Sequence, residues 1–113
     1  MRAEARKYLY DIQQAAGRLT DFTTGQSFSD YMADAMLQAA SERQFEIIGE
    51  ALAQLAREEV EVAERISEYQ RIIAFRNILI HGYADIDARL VWDIIESRLP
   101  GLRDEVDRLL AEA

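Results

Sequence analysis

Residues 67–83, SEYQRIIAFRNILIHGY, carry apolar side chains at helical spacing and include the only histidine of the chain, His81. Apolar residues recur from Ile72 to Leu79 at the three- and four-residue intervals of an amphipathic helix. We predict a helix that starts at Ser67, where SEYQ resembles a capping box, and ends at His81. Gly82 is then expected in the left-handed conformation that closes many helices.

The same helical spacing recurs on the N-terminal side of this segment. We predict a first helix from about Ala3 to Leu19, before the turn-rich residues 20–25. A second helix, with room for a kink, should start at Ser27 or Ser29 and end near Arg57. The side chains expected in the core from these two helices are Leu9, Ile12, Ala16, Leu19, Met32, Met36, Phe45, Ile48, Leu52 and Leu55.

The C-terminal side gives two further helices. The glutamate-rich residues 58–64 predict a short solvated helix or a loop, because like charges at neighbouring helical positions repel. Asp85 or Asp87 can cap a fourth helix that holds Trp92. Pro100, the only proline, suits the first turn of a fifth helix. The chain, residues 1–113, is therefore predicted to be one all-α domain, a bundle of four to five helices.

Composition restricts the function. Hydrophobic residues make up 50% of the chain, which argues against disorder, and no apolar run is long enough to span a membrane. The absence of cysteine removes disulfides, zinc–thiolate sites and thiol nucleophiles. With a charged, helix-forming N-terminus and no signal-peptide pattern, we expect a soluble, cytoplasmic protein. A net charge of −8 argues against a broad nucleic-acid surface, so any RNA contact must be local.

The octet RNILIHGY, residues 76–83, joins a guanidinium, an imidazole and a phenol. The guanidinium of Arg76 matches phosphate oxygens and stabilises charge in a phosphoryl transition state. An imidazole such as that of His81 serves as general acid or base. Asn77 lies four residues before His81, on the same helical face, and can orient its ring. These residues suit RNA cleavage, because RNA supplies its own 2′-hydroxyl nucleophile and no metal or cofactor is obligatory.

Such a cleavage needs both a base and an acid, whereas the chain has one histidine. A two-fold homodimer would bring two copies of His81 and two of Arg76 to a shared cleft. The spacing alone is weak evidence, since arginine is frequent in this chain. A purely structural explanation fits the same residues. Arg76 would make a surface ion pair, and His81 would merely end a helix, where its charge suits the helix dipole.

The wider sequence resembles the HepT-like branch of the HEPN ribonuclease superfamily. The similarity runs from about residue 5 to residue 110. It rests on the octet with the following ADID, residues 84–87, and on VWDII, residues 91–95. The upstream ERQFEIIGEA, residues 42–51, and LPGL, residues 99–102, also resemble that family. Its signature is an arginine, four to six residues, a histidine, one residue and a tyrosine, which Arg76, His81 and Tyr83 match.

The resemblance implies a helical HEPN fold that dimerises, with both motifs forming one metal-independent ribonuclease site. It also implies a toxin of a toxin–antitoxin pair. The partner would be a minimal, MntA-like nucleotidyltransferase that silences the toxin by transferring AMP to Tyr83. The competing hypothesis is a non-catalytic helical dimer that binds the nucleotidyltransferase or a nucleotide; the acidic composition favours it, and the intact Arg–His–Tyr set favours the ribonuclease.

Several other residues have structural explanations. Glu46 and Glu50 lie on one helical face, but two carboxylates without a histidine make a poor site, and we expect one of them to hold Arg76 or Arg43. Gly49 should permit a close helix–helix contact. Trp92 is expected in the core or at a dimer interface rather than as a platform for RNA bases.

Overall fold

The computed structural model describes residues 1–82 and 85–113. Within these residues the chain forms helices and no strands, as predicted. Five helices are long and two are short: α1 (Ala3–Thr23), α2 (Phe28–Met32), α3 (Ala35–Glu58), α4 (Val60–Ala63), α5 (Tyr69–His81), α6 (Ala88–Ser97) and α7 (Leu99–Glu112). No helix in this part of the chain combines the length and apolarity of a membrane span.

Helix α3 is the centre of the bundle. It packs most extensively against α1 and next against α5, while α7 covers α1 and contacts α6. The predicted stripe of α1 is fully buried at Leu9, Ile12, Ala16 and Leu19. Burial of such large aliphatic side chains contributes roughly 1.5–3 kcal/mol each, so this stripe fixes α1 against α3. Helix α3 also contacts α5, the helix that carries Arg76 and His81, on one side.

Helix α1 runs to Thr23, four residues beyond the predicted end at Leu19. The hydroxyls of Thr20, Thr23 and Thr24 each donate to the carbonyl four residues earlier. These bonds satisfy the hydroxyls within the helix, so the threonines continue it instead of ending it.

The predicted second helix is two helices, α2 and α3. Ser27 caps α2 through a capping box with Asp30, and Asp34 caps α3 by accepting from the Leu37 amide. The break at Asp34 turns Met32 and Met36 outward, where they are exposed, so their predicted core position is wrong. The core position is filled by Tyr31, whose ring lies 5.3 Å from that of Trp92.

The entry into α5 differs from the predicted capping box. The helix begins at Tyr69, and Glu68 before it has a positive φ of 55° with no side-chain cap. The backbone N–H and hydroxyl of Ser67 both donate to the carboxylate of Glu105 on α7. Ser67 is thus bound to a distant helix and does not cap its own.

The last two helices begin as predicted. The side chain of Asp87 accepts from the amides of Arg89 and Leu90, and Pro100 lies in the first turn of α7. Trp92 of α6 is buried in the core. The glutamate-rich segment forms the short helix α4, but Val62 and Ala63 within it are buried, so it is solvated on one side only.

Candidate functional site

Arg76 lies on the face of α5 that packs against α3. Its side chain is 27% exposed, and Nη2 donates to Oε2 of Glu50 on α3 at 2.5 Å. Nη1 donates to Oδ1 of Asn77 at 2.9 Å. The expectation that a glutamate of α3 holds Arg76 is therefore confirmed, and Glu46 pairs instead with Arg43.

The close approach of α3 and α5 depends on Gly49. A Cβ atom at this position would overlap the Cβ of Arg76 and lie 2.7 Å from its Cγ. The stem of Arg76 thus crosses α3 where that helix has no side chain, as was expected of Gly49. One turn away, Phe45 and Phe75 pack edge to face with their centroids 5.3 Å apart. Together these contacts fix where the guanidinium emerges.

A second residue of α3 holds Glu50 itself. Gln54, one turn further along, donates from Nε2 to Oε1 of Glu50 at 3.1 Å. The result is a chain of hydrogen bonds from Gln54 through Glu50 and Arg76 to Asn77, which links α3 with α5. Gln54 was not singled out in the sequence; its position four residues after Glu50 was the available signal.

His81 is exposed in the last turn of α5. The expected hydrogen bond from Asn77 to His81 is absent in the part of the chain that the structure describes; Asn77 Oδ1 instead accepts from Arg76. Tyr83, the predicted site of AMP transfer, lies outside the described residues.

Gly82 closes α5 without the left-handed conformation that was predicted. Its φ is −109° and its ψ is 27°, and its N–H donates to the carbonyl of Ile78 at 2.7 Å. A Cβ atom on Gly82 would lie 2.8 Å from that same oxygen. The glycine is therefore needed for the close contact with Ile78 and not for a positive φ.

An exposed stripe runs along α5 and contains His81. Its members, spaced i, i+3, i+4 and i+7, are Ala74, Asn77, Ile78 and His81, all of them exposed. Ile78 leaves 52% of its surface exposed. We call these four residues the α5 stripe. Ile78 is thus a large apolar side chain that lies exposed beside the candidate catalytic histidine.

Arg76 and His81 leave the helix in different directions. Five residues at 100° each separate their side chains by about 140° around the helix axis. Arg76 faces α3, whereas His81 belongs to the outward α5 stripe. A single protomer therefore offers an anchored cation and one imidazole on different sides of α5, which is too little for concerted acid and base catalysis.

A separate cleft of about 570 Å³ lies between α5, α6 and α7. Phe75, Ile94 and Leu102 contribute to its apolar lining, and Arg71 and Arg98 stand at its rim with Glu68. Neither Arg76 nor His81 lines it. Among residues 1–82 and 85–113, His, Asp and Glu side chains form no group of three suited to hold a metal ion.

Comparison with known proteins shows which family the chain as a whole is similar to. The family model "Ribonuclease HepT-like" matches residues 12–109. A protein of Caldanaerobacter subterraneus named "Putative RNase" is 34% identical, over 93% of each chain. A protein of the same name from Methanocaldococcus jannaschii is 31% identical, over 92% of this chain and 94% of the relative. The "Probable ribonuclease HepT" of Thermococcus cleftensis is 29% identical, over 96% of this chain and 98% of the relative. No solved structure matches the chain significantly.

Proposed function

The chain belongs to the HepT-like ribonuclease family, and we propose that it is a metal-independent endoribonuclease that acts as a toxin. The observation that carries most weight is the anchored Arg76 on the same helix as the exposed His81. An anchored guanidinium is a fixed phosphate-binding group, and an exposed imidazole can exchange protons with a substrate. The expected substrate is single-stranded or loop RNA, whose 2′-hydroxyl is free to attack.

In this proposal Arg76 binds the scissile phosphate and stabilises its charge in the transition state. His81 of one protomer removes the proton of the 2′-hydroxyl, whose oxygen attacks phosphorus and displaces the 5′-oxygen. A second imidazole protonates that leaving oxygen, and the products are a 2′,3′-cyclic phosphate and a 5′-hydroxyl. Each proton is accounted for by an imidazole, so the step requires no metal ion.

The second imidazole would come from a second copy of the chain. The α5 stripe supports this homodimer, since pairing two stripes about a two-fold axis buries both copies of Ile78 and brings both copies of His81 together. Arg76 faces α3, but its Nη1 donates to Asn77 of the α5 stripe, and its guanidinium is proposed to reach the shared cleft beside Asn77. The active site is therefore proposed to be composite.

The toxin is proposed to be silenced by a minimal nucleotidyltransferase antitoxin. The phenol oxygen of Tyr83 would attack the α-phosphorus of ATP, pyrophosphate would leave, and the phenol proton would pass to solvent. Tyr83 is two residues after His81 in the sequence, so an added nucleotide would bring a negative charge and steric bulk close to the site. Intact mass after incubation with ATP and the antitoxin should rise by one or more AMP units. Tyr83→Phe should prevent this increase, and Tyr10→Phe, a change at an exposed tyrosine of α1, should not.

The ribonuclease proposal is tested by incubating purified, AMP-free protein with total RNA in excess chelator. We expect cleavage with 2′,3′-cyclic phosphate ends, lost in His81→Ala and in Arg76→Ala. Arg71→Ala is the matched control, because Arg71 is an exposed arginine of the same helix whose ion pair, in the described part of the chain, is with Glu68. Cleavage that survives His81→Ala would contradict the mechanism. An absence of cleavage by the parent protein would favour the alternative function, a non-catalytic dimer that binds the nucleotidyltransferase or a nucleotide.

A further inference from the structure

The carboxylate of Glu50 is the closest charged group to Arg76, and its geometry assigns it a role in the reaction. We propose that Glu50 is a positioning residue, which orients the Arg76 guanidinium toward the scissile phosphate. This inference rests on the proposed ribonuclease function. It adds to that function a residue of α3, a helix that carries no part of the sequence motif.

The guanidinium is held by two hydrogen bonds. Nη2 donates to Glu50, Nη1 donates to Asn77, and Nε is buried without a hydrogen-bond partner among the described residues. A guanidinium has five N–H groups. One hydrogen on each terminal nitrogen therefore remains for a phosphate oxygen, while the plane of the group is already set by its other contacts.

Glu50 is itself held in place. Gln54 donates to Oε1, so the oxygen that does not bind Arg76 is also engaged. Gly49 lets the arginine stem lie directly against the backbone of α3, because no side chain separates that backbone from Cβ and Cγ of Arg76. A charged side chain that is already held by a fixed partner loses little further conformational entropy when it binds substrate. This small loss is the advantage of a preorganised site.

A different role for Glu50 would be competition, in which its carboxylate occupies the place of the RNA phosphate. The contacts favour positioning, since Glu50 engages a single nitrogen of Arg76 and leaves the two free terminal hydrogens. Competition predicts that removal of the charge strengthens RNA binding. Positioning predicts that it slows the chemical step, because an interaction realised in the transition state is weakened.

The test compares Glu50→Gln with Glu46→Gln. Both changes remove one carboxylate from the same face of α3, but Glu46 pairs with the exposed Arg43. We expect Glu50→Gln to lower kcat by about tenfold or more while KM changes by less than about threefold, as for a misaligned catalytic group. Glu46→Gln should leave both constants near those of the parent protein. A lower KM or a higher kcat in Glu50→Gln would overturn the proposal in favour of competition.

A second readout follows the guanidinium directly. In nitrogen-15 NMR spectra, rotation of the Arg76 terminal groups should be slow in the parent protein and faster in Glu50→Gln, with Glu46→Gln unchanged. Unchanged Arg76 signals in Glu50→Gln would overturn the inference, as would parental kcat in that variant. The parent protein distinguishes failure of the proposed function from failure of the inference about Glu50. If the parent protein cleaves no RNA although its Arg76 signals show slow rotation, the ribonuclease proposal fails, and the positioning role fails with it.

Discussion

Gly49 lets the stem of Arg76 lie directly against the backbone of α3. A Cβ atom at residue 49 would overlap the Arg76 stem, so Gly49→Ala must separate the two helices or displace the arginine. Overpacking of this kind costs roughly 1–3 kcal/mol, and we expect a loss of that size in the free energy of unfolding, measured by urea denaturation. RNA cleavage should fall as well, because Arg76 moves.

Gly17→Ala is the matched control for this change. Gly17 lies within α1, and a Cβ atom there meets nothing within 4 Å. Replacement of glycine by alanine inside a helix stabilises it by up to about 1 kcal/mol. The two alanine substitutions should thus move the free energy of unfolding in opposite directions. Equal effects would show that close packing at residue 49 is unimportant.

Glu42 is the carboxyl group whose environment predicts a pH dependence of stability. Burial raises its pKa above the usual range, and the negative charge of Glu46 raises it further. A group whose pKa is raised by folding contributes its full stability below the pKa of the unfolded state. That contribution is lost as the pH rises through the pKa of the folded state, because the group then becomes charged in its buried position. At neutral pH the charged Glu42 therefore destabilises the fold.

We expect Glu42→Gln to raise the melting temperature at pH 7. The effect should be smaller at about pH 3, because a glutamate is then largely protonated in both the folded and the unfolded state. Calorimetry at both pH values measures the difference. Glu61→Gln, a change at an exposed glutamate of α4, should show no such dependence. A gain that is the same at both pH values would mean that the charge of Glu42 is not its cause.

At the scale of helices, the ends that were predicted correctly depend on neighbours in sequence. Asp87 caps α6 through amides two and three residues ahead, and Pro100 acts within its own turn. The start of α5 was predicted wrongly because Ser67 bonds to Glu105, 38 residues away. Such a contact exists only once α7 has packed, so no local pattern near Ser67 could reveal it.

In the candidate site, too, some features were predictable from the sequence and others depend on contacts that form on folding. The motif helix and its end at His81 follow from the spacing of apolar residues. The sequence left open whether Glu46 or Glu50 holds Arg76, and the packing of α3 against α5 selects Glu50. The partner of Asn77 was not predictable, since its amide can reach either neighbour along α5. Helical periodicity gives the face of a side chain but does not choose among contacts within reach.

Glu105 joins α7 to the entry of α5, and its removal should loosen that entry. In Glu105→Ala the backbone N–H and hydroxyl of Ser67 lose their acceptor, at a cost of about 1 kcal/mol. We expect faster amide hydrogen exchange across residues 67–72, with the core of α3 unchanged. Asp104→Ala, a change at the adjacent exposed carboxylate, is the control. Unchanged exchange at residues 67–72 would show that α5 begins independently of α7.

For the whole molecule, the net charge of −8 sets a condition on any RNA-binding site. A single Arg76, partly neutralised by Glu50, attracts RNA weakly. A dimer doubles the number of cations in one cleft without changing the sign of the surface. Cleavage should consequently depend on protein concentration in the range where the dimer dissociates.

A substitution at Ile78 is the change best suited to disrupt the proposed dimer without disrupting the fold. It is 52% exposed in the α5 stripe, so Ile78→Asp should leave the monomer fold intact while placing two carboxylates face to face in the dimer. Sedimentation should show a monomer, and cleavage should be lost. Met36→Asp makes the same kind of change at a side chain that is 84% exposed on α3, and it should affect neither property. A monomeric Ile78→Asp protein that still cleaves RNA would exclude the composite site.

Mixed dimers test whether two copies of His81 act on one phosphate. When equal amounts of parent and His81→Ala protein exchange subunits, about one quarter of the dimers have both histidines and about one half have one. If base and acid come from different protomers, activity relative to an all-parent sample should fall to about one quarter, whereas independent sites would retain about one half. The His81→Ala change lies on an exposed side chain, so exchange between the two proteins should be unbiased. Activity that stays at about one half would place the complete reaction within one protomer. Because each protomer has one histidine, the second acid–base group would then have to be a residue other than His81.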